Sequence, residues 1–427
     1  MQTHFSLAQL ANSDTAVSEK ILRSCVHCGF CIATCPTYAL LGDELDSPRG
    51  RIYLIKDMLE NDRPATGEVV KHIDRCLSCL SCMTTCPSGV HYGRLVDHAR
   101  HHIERTYRRP WFERSLRRLL GIVLPRPHLF RAALTAAVLA KPFAKFLPAS
   151  LRARFDLIPT KIPDASPIYR PHVAWGAPTP TRRVALLAGC AQQVLKPQID
   201  EAMIRLLTRH GCEVAMVAGT GCCGAFNHHL GQDGGAFARA NILAWSREIE
   251  AKGLDAIVIN ASGCGTMVKE YGFMFRDDPA WSKQARLISS LTCDISELMT
   301  EIGVLPPVKA MGQRVAYHSA CSLQHGQNIR NEPKLLLKDA GFIVLDPPEG
   351  HLCCGSAGAY NMLQPEIATQ LRDRKAANLE STAPDLIAAG NIGCIVQIAA
   401  KTALPVVHTV ELLDWATGGP RPPGLSA

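Results

Sequence analysis

Cys25-Val26-His27-Cys28-Gly29-Phe30-Cys31-Ile32-Ala33-Thr34-Cys35-Pro36 is followed, 51 positions on, by Cys76-Leu77-Ser78-Cys79-Leu80-Ser81-Cys82-Met83-Thr84-Thr85-Cys86-Pro87. Both stretches read C-x-x-C-x-x-C-x-x-x-C-P, the bacterial-ferredoxin spacing for a 4Fe–4S cluster. A cubane needs four thiolates converging on one small site. Three cysteines spaced three apart in a tight turn offer three of them, and the fourth comes from elsewhere. In two-cluster ferredoxins the last cysteine of each run serves the other cluster. The spacing therefore assigns Cys25, Cys28, Cys31 and Cys86 to one cluster, and Cys35, Cys76, Cys79 and Cys82 to a second. Pro36 and Pro87 turn the chain away after the last ligand. Zinc sites use C-x-x-C pairs or Cys/His sets rather than four-cysteine runs ending in proline. A pair of clusters is a path for single electrons.

Eighteen cysteines in 427 residues do not describe a small disulfide scaffold. The apolar fraction of 47% is ordinary for a globular protein, and the length predicts several domains. The first residues, Met1 to Asp14, lack a basic segment followed by an apolar one, so no secretory leader is expected and the thiols are read as reduced or metal-bound in the cytoplasm. No apolar run approaches the ~20 residues of a membrane span. The best candidate, Ala132 to Ala140, is closed by Arg131 and Lys141.

The net charge of +8 is uneven. Arg105, Arg108, Arg109, Arg114, Arg117 and Arg118 crowd between Arg94 and Arg118, interleaved with Tyr107, Trp111 and Phe112. Two readings stand side by side: a solvated helix face with its linker, or contact with an anionic membrane surface or acidic partner. Nucleic acid is not expected, because no binding module accompanies the charge.

Four segments follow from the pattern. Residues 1–110 are expected to form a helical two-cluster ferredoxin domain. Its 40-residue insert between the runs starts a helix at Ser47 and Pro48, with Ile52, Ile55 and Leu59 on one face. Leu95, Ala99 and Ile103 mark another helix. Residues 111–180 form a basic, proline-rich connector; Pro159, Pro163, Pro167, Pro171, Pro178 and Pro180 argue against regular structure towards its end. Residues 181–305 and 306–427 are two copies of one unit. Cys190, Cys222-Cys223-Gly224 and Cys264 recur as Cys321, Cys353-Cys354-Gly355 and Cys394, at offsets of 131, 131 and 130.

Each copy reads as α/β. Short apolar strands are expected at Val184–Ala188, Glu213–Ala218 and Ala256–Ile259, and again at Val315–Tyr317, Phe342–Leu345 and Leu386–Ala388. Ile199, Ala202, Met203, Leu206 and Leu207 form a helical stripe between the first two. The repeated cysteines then fall beyond the carboxyl ends of strands, where open α/β sheets bind ligands. They are candidate ligands of additional clusters, with a thiol–disulfide site as the competing reading. Cys212 and Cys293 have no counterpart in the other copy and read as structural. His318 is a candidate ligand or hydrogen-bond partner, though a satisfied core or rim histidine is the commoner case. His228 and His229 read as surface residues. Gly219-Thr220-Gly221-Cys222-Cys223-Gly224 fits a dinucleotide pattern, but Glu349 to Gly355 keeps only the cysteine pair and the last glycine, so nucleotide binding is not expected.

Two ferredoxin runs followed by two CCG repeats resemble the iron–sulfur subunits of glycolate oxidase (glycolate dehydrogenase). The likeness is carried by Cys25-Val-His-Cys-Gly-Phe-Cys31, Gly42-Asp-Glu-Leu-Asp46, Pro48-Arg-Gly-Arg-Ile-Tyr53, Cys86-Pro-Ser-Gly89, Gly189-Cys-Ala-Gln192, Ala261-Ser-Gly-Cys-Gly265 and His351-Leu-Cys-Cys-Gly-Ser-Ala-Gly358. More distantly the chain is similar to the small subunit of anaerobic glycerol-3-phosphate dehydrogenase and the cysteine-rich subunit of heterodisulfide reductase. The resemblance implies a complex. An FAD-containing partner subunit oxidises glycolate, or D-lactate, to the 2-oxo acid, and this chain relays the electrons towards a quinone-type membrane acceptor. It implies no substrate oxidation by this chain alone, no catalytic residue within it, and a place on the cytoplasmic face of the inner membrane. The alternatives are a related D-lactate or glycerol-3-phosphate dehydrogenase subunit, or a thiol–disulfide reductase built on the CCG pairs. The chain departs from the heterodisulfide reductase pattern at Ala261 and Asn391, where those repeats carry a further cysteine. A five-thiolate cluster is therefore not expected in either repeat.

Overall fold

The computed structural model describes residues 1–142, 155–170, 174–176 and 179–425. The first unit is helical. Helices Ser13–Ser24, Pro48–Glu60, Gly67–Asp74 and Tyr92–Thr106 close around Leu22, Ile55, Ile73, Leu95, Val96 and Ile103, all fully buried. The insert helix begins as its sequence dictates. The Ser47 hydroxyl accepts a hydrogen bond from the Gly50 amide at 3.0 Å, and Pro48 occupies the first turn, where no amide is needed. Ile52, Ile55 and Leu59 then face inward together.

The connector is helical in its first part, as Trp111–Val123 and Pro127–Ala140. Pro125 falls in the turn between these two helices and Pro127 in the first turn of the second, where proline is tolerated. The prolines gather further on. There the described residues hold a short turn at Pro167–Tyr169 and the two-residue strand β1 (Ala174–Trp175). Pro171 and Pro178 lie outside the described residues.

The two repeats form two sheets of one topology. In the first, β2 (Arg182–Leu186), β3 (Cys212–Ala215), β4 (Ala256–Ile259) and β5 (Thr292–Asp294) run parallel in the order β3-β2-β4-β5, with β1 added antiparallel at the β3 edge. In the second, β6 (Arg314–His318), β7 (Ile343–Leu345), β8 (Leu386–Ala389) and β9 (Val406–His408) repeat that order as β7-β6-β8-β9. Six of these nine strands match the apolar runs expected from sequence. β1, β5 and β9 are not expected from the sequence; each is two or three residues long and lies at a sheet edge.

One hydrophobic core runs through both sheets. The first repeat's helix Gln198–Arg209 packs on the second's Thr409–Ala416, and buried Asp414 receives both Arg205 and Arg209. The helical unit docks against both repeats. Arg94 pairs with Glu270 and Arg276 with Asp14, while the Tyr360 hydroxyl donates to the Arg75 carbonyl at 3.0 Å. For His228 and His229 the surface reading is corrected in part. Both reach back to Asp97, at 3.4 and 3.3 Å, so they line the seam between units; His228 is half-buried there, while His229 keeps the expected surface exposure.

Candidate metal centres

The two ferredoxin runs fold alike. Left-handed backbone occurs at His27 and Gly29 in the first and at Ser78 and Leu80 in the second, the same pair of positions. Three of these four residues are not glycine, so the loops hold an uncommon conformation that the surrounding packing must enforce. The result is convergence of thiols. One cavity is lined by Cys25, Cys28, Cys31 and Cys86, together with Pro48, Ile52 and Pro87. A second is lined by Cys35, Cys76, Cys79 and Cys82, with Thr37, Arg51 and Tyr92. Thus the last cysteine of each run lines the cavity built by the other. Cys82 borders both, so the two sites adjoin.

The donor chemistry suits an iron–sulfur cluster. Burial, and then the neighbouring Cys321 thiol, push Cys79 well above the usual thiol range; burial and Cys79 do the same to Cys82. Thiols crowded in this way cannot all ionise alone. A cationic iron core bound between them removes that conflict, because ligand deprotonation and metal binding are coupled.

The second cavity has a polar backing that the sequence did not point out. Asp46 is fully buried and accepts from Arg51 at 3.2 Å, His72 at 3.0 Å and Arg75 at 2.7 Å. Arg51, itself buried, also reaches Thr37 at 3.1 Å and lies 3.9 Å from Cys35 Sγ. Thr37 Oγ1 is 3.3 Å from the same sulfur, and the Tyr92 hydroxyl is 3.7 Å from Cys76 Sγ. A fixed positive charge and hydroxyls therefore face the thiolates of this site. The only sequence signal was an arginine on the apolar face of the insert helix.

In the α/β repeats the cysteines lie beyond strand ends. Cys190 follows β2, Cys222 and Cys223 follow β3, and Cys264 sits in the first turn of helix Ser262–Lys269 after β4. Strand order reverses between β2 and β4, the switch point where such sheets bind ligands. Cys190 touches Cys222, and Cys223 touches both Cys222 and Cys264. The second repeat places Cys321, Cys353, Cys354 and Cys394 in the same way, with 3.8 Å between the Cys321 and Cys353 sulfurs. Gly224 and Gly355 each adopt φ +85°. A Cβ there would lie 2.7 Å from Gly234 O and 2.5 Å from Ala368 O, so only glycine lets the pair turn. Cys212 is buried in the main core, apart from these sets. The second repeat abuts the second ferredoxin loop: Leu77, Cys79, Cys353 and Tyr360 form one buried cluster with Cys321 at its margin.

The basic stretch divides in two. Arg109 and Arg117 are buried and clamp Asp74, at 2.6 and 2.7 Å, with Glu113 shared between them. Arg105, Arg108, Arg114 and Arg118 stay exposed beside Trp111, Phe112 and Leu119, which are 75, 62 and 57% exposed. No helix among the described residues is long and apolar enough to cross a membrane.

Comparison with known proteins agrees with this layout. The family model of a 4Fe–4S dicluster domain matches residues 21–90, and that of a cysteine-rich domain matches residues 184–269 and 315–399. Among solved structures, a hypothetical protein from Helicobacter pylori shares the fold at a TM-score of 0.56, with 10% identity, over 96% of this chain and 73% of that one. Lactate utilization protein A of Bacillus subtilis is 28% identical over 240 residues, 54% of this chain and 99% of its own length. The probable glycolate oxidase iron–sulfur subunit of Bacillus subtilis is 30% identical, over 98% of this chain and 99% of the relative. The glycolate oxidase iron–sulfur subunit of Escherichia coli K12 is 44% identical, over 97% of this chain and 99% of the relative. With two ferredoxin runs, two cysteine-rich repeats and a match of this extent, the chain belongs to the family of glycolate oxidase iron–sulfur subunits.

Proposed function

We propose that this chain is the electron-transfer subunit of a glycolate dehydrogenase complex. An FAD-containing partner subunit oxidises glycolate to glyoxylate, releasing two electrons and two protons, and this chain conveys the electrons towards a quinone-type acceptor at the membrane. The observation that carries the reading is the pair of adjoining four-thiol cavities, the second of which abuts a further cysteine set. A bound 4Fe–4S cluster takes up and releases one electron at a time, which suits a flavin that gives electrons in pairs. The chain's own residues hold and insulate the sites: Cys25, Cys28, Cys31 and Cys86 at one, Cys35, Cys76, Cys79 and Cys82 at the other. Arg51, Thr37 and Tyr92 offset negative charge at the second. The four-segment division, with boundaries near residues 110, 180 and 305, is part of this proposal. So is D-lactate as a second substrate of the complex, which the likeness to a lactate utilization protein supports.

Glycolate should reduce the iron–sulfur chromophore of this chain only when the flavoprotein partner is present, as read anaerobically by absorbance near the visible thiolate-to-iron bands. Reduction by glycolate without the partner, or no reduction with it, contradicts the proposal.

The exposed Trp111, Phe112 and Leu119, flanked by Arg114 and Arg118, support peripheral attachment to the cytoplasmic face of an anionic membrane. Trp111→Ala with Phe112→Ala should cut co-sedimentation with vesicles containing anionic lipid by about tenfold or more, since each aromatic contributes on the order of 1 kcal/mol or more of interfacial burial. Unchanged binding contradicts the attachment.

A further inference from the structure

His318 ends strand β6, three residues before Cys321. The sequence made a satisfied core histidine the commoner case. The structure does not satisfy it. The residue is 1% exposed, and neither of its ring nitrogens has a hydrogen-bond partner among the described residues. Burying an imidazole with both nitrogens unmet is costly, and native sites rarely leave such a group without a reason. One of its ring nitrogens and the sulfurs of Cys354 and Cys394 all lie within 4.8 Å of one another. Cys353 touches Cys354, and Cys321 touches Cys353. The imidazole thus stands at one end of the thiol set of the second repeat.

The first repeat offers no such donor. Leu187, buried and apolar, occupies the position matching His318. The remaining difference lies at Ala261 and Asn391, where Asn391 Nδ2 approaches Cys394 Sγ at 3.5 Å. Two copies of one fold therefore present different donors: sulfur alone in the first, sulfur and nitrogen in the second.

We propose that His318 ligates, through a ring nitrogen, a metal centre held with the thiolates of Cys353, Cys354 and Cys394, taking the place of a fourth thiolate, so that the two repeats carry chemically distinct centres. This rests on reading the repeats as metal-binding. Mixed sulfur–imidazole ligation is shared by tetrahedral zinc sites and by iron–sulfur clusters in which histidine replaces cysteine. If iron is held, replacing a thiolate by a neutral imidazole raises the reduction potential. The site abuts Cys79, so a raised potential draws electrons out of the ferredoxin unit.

The test uses the full chain, purified anaerobically, with iron, zinc and sulfide measured in the wild type and in Cys354→Ser, His318→Ala and His318→Cys. The loss caused by Cys354→Ser defines the metal of the second repeat. The nitrogen is read by pulsed EPR of protein labelled with 15N-histidine, if that metal is iron, or by zinc-edge X-ray absorption if it is zinc. The expected result is a nitrogen ligand in the wild type that disappears in both His318 variants, with His318→Cys retaining the metal. For iron, His318→Cys should also lower the midpoint potential of that centre. The EPR signals of the ferredoxin clusters serve as the folding control. Second-repeat metal that shows no nitrogen ligand and is unchanged in His318→Ala overturns the inference while leaving the repeats as metal sites. Wild type and Cys354→Ser with identical metal content overturn both.

Discussion

Cys86→Ser is expected to abolish the cluster of Cys25, Cys28 and Cys31 while the other cluster survives. Sequence distance argues the opposite, since Cys86 closes the second run and lies four residues from Cys82. The fold decides it: Cys86 lines the cavity of the first run and is absent from the lining of the second. Cys35→Ser should do the reverse, removing the cluster of Cys76, Cys79 and Cys82. A site left with three thiolates binds its metal far more weakly, and that binding is also folding free energy. Each variant should therefore lose one EPR signal, about half of the ferredoxin-bound iron, and some thermal stability. Loss of the second-run cluster in Cys86→Ser would contradict the crossed ligation.

The second large effect belongs to Arg51. Its guanidinium is 1% exposed and its partner Asp46 is fully buried. Arg51→Met keeps much of the side-chain volume but leaves the Asp46 carboxylate with His72 and Arg75 alone. Removing one member of a buried ion pair costs about 3–5 kcal/mol, mostly from the charge left behind. The same change takes a positive charge from beside Cys35. The variant should unfold at clearly lower denaturant, and its second cluster should become harder to reduce. Asp46→Asn with Arg51→Met should recover part of the stability, because the stranded charge is then gone. A stability within 1 kcal/mol of wild type in the single variant, measured by denaturant titration, would show that the network is not structural.

Much of this was legible in the chain, for identifiable reasons. The ferredoxin runs are local motifs, and their spacing alone names the chemistry. Ser47 and Pro48 begin a helix through their own atoms, which no distant contact needs to supply. Among the six legible parallel strands, β4 and β8 are fully buried apolar runs, the most readable kind. What escaped depends on partners far away in sequence. Strands β5 and β9 are edge strands that form by pairing with β4 and β8. Arg109 and Arg117 read as surface charge until Asp74, about 35 and 43 residues back, is placed against them. Arg51 and His318 looked ordinary because their significance is burial, and burial of a polar residue follows from the packing of the whole unit. The docking of the second repeat, rather than the first, against Cys79 likewise had no trace in spacing.

Inorganic clusters gripped by the two cysteine runs underlie every role assigned to this chain. Low-temperature EPR of the anaerobic, dithionite-reduced chain, with iron and acid-labile sulfide determined on the same sample, tests their presence most directly. Two magnetically interacting 4Fe–4S signals are predicted, because adjoining cavities bring the spins close together. A sample that remains free of iron and sulfide after anaerobic reconstitution, or that holds zinc in the Cys25–Cys86 sites, would contradict it.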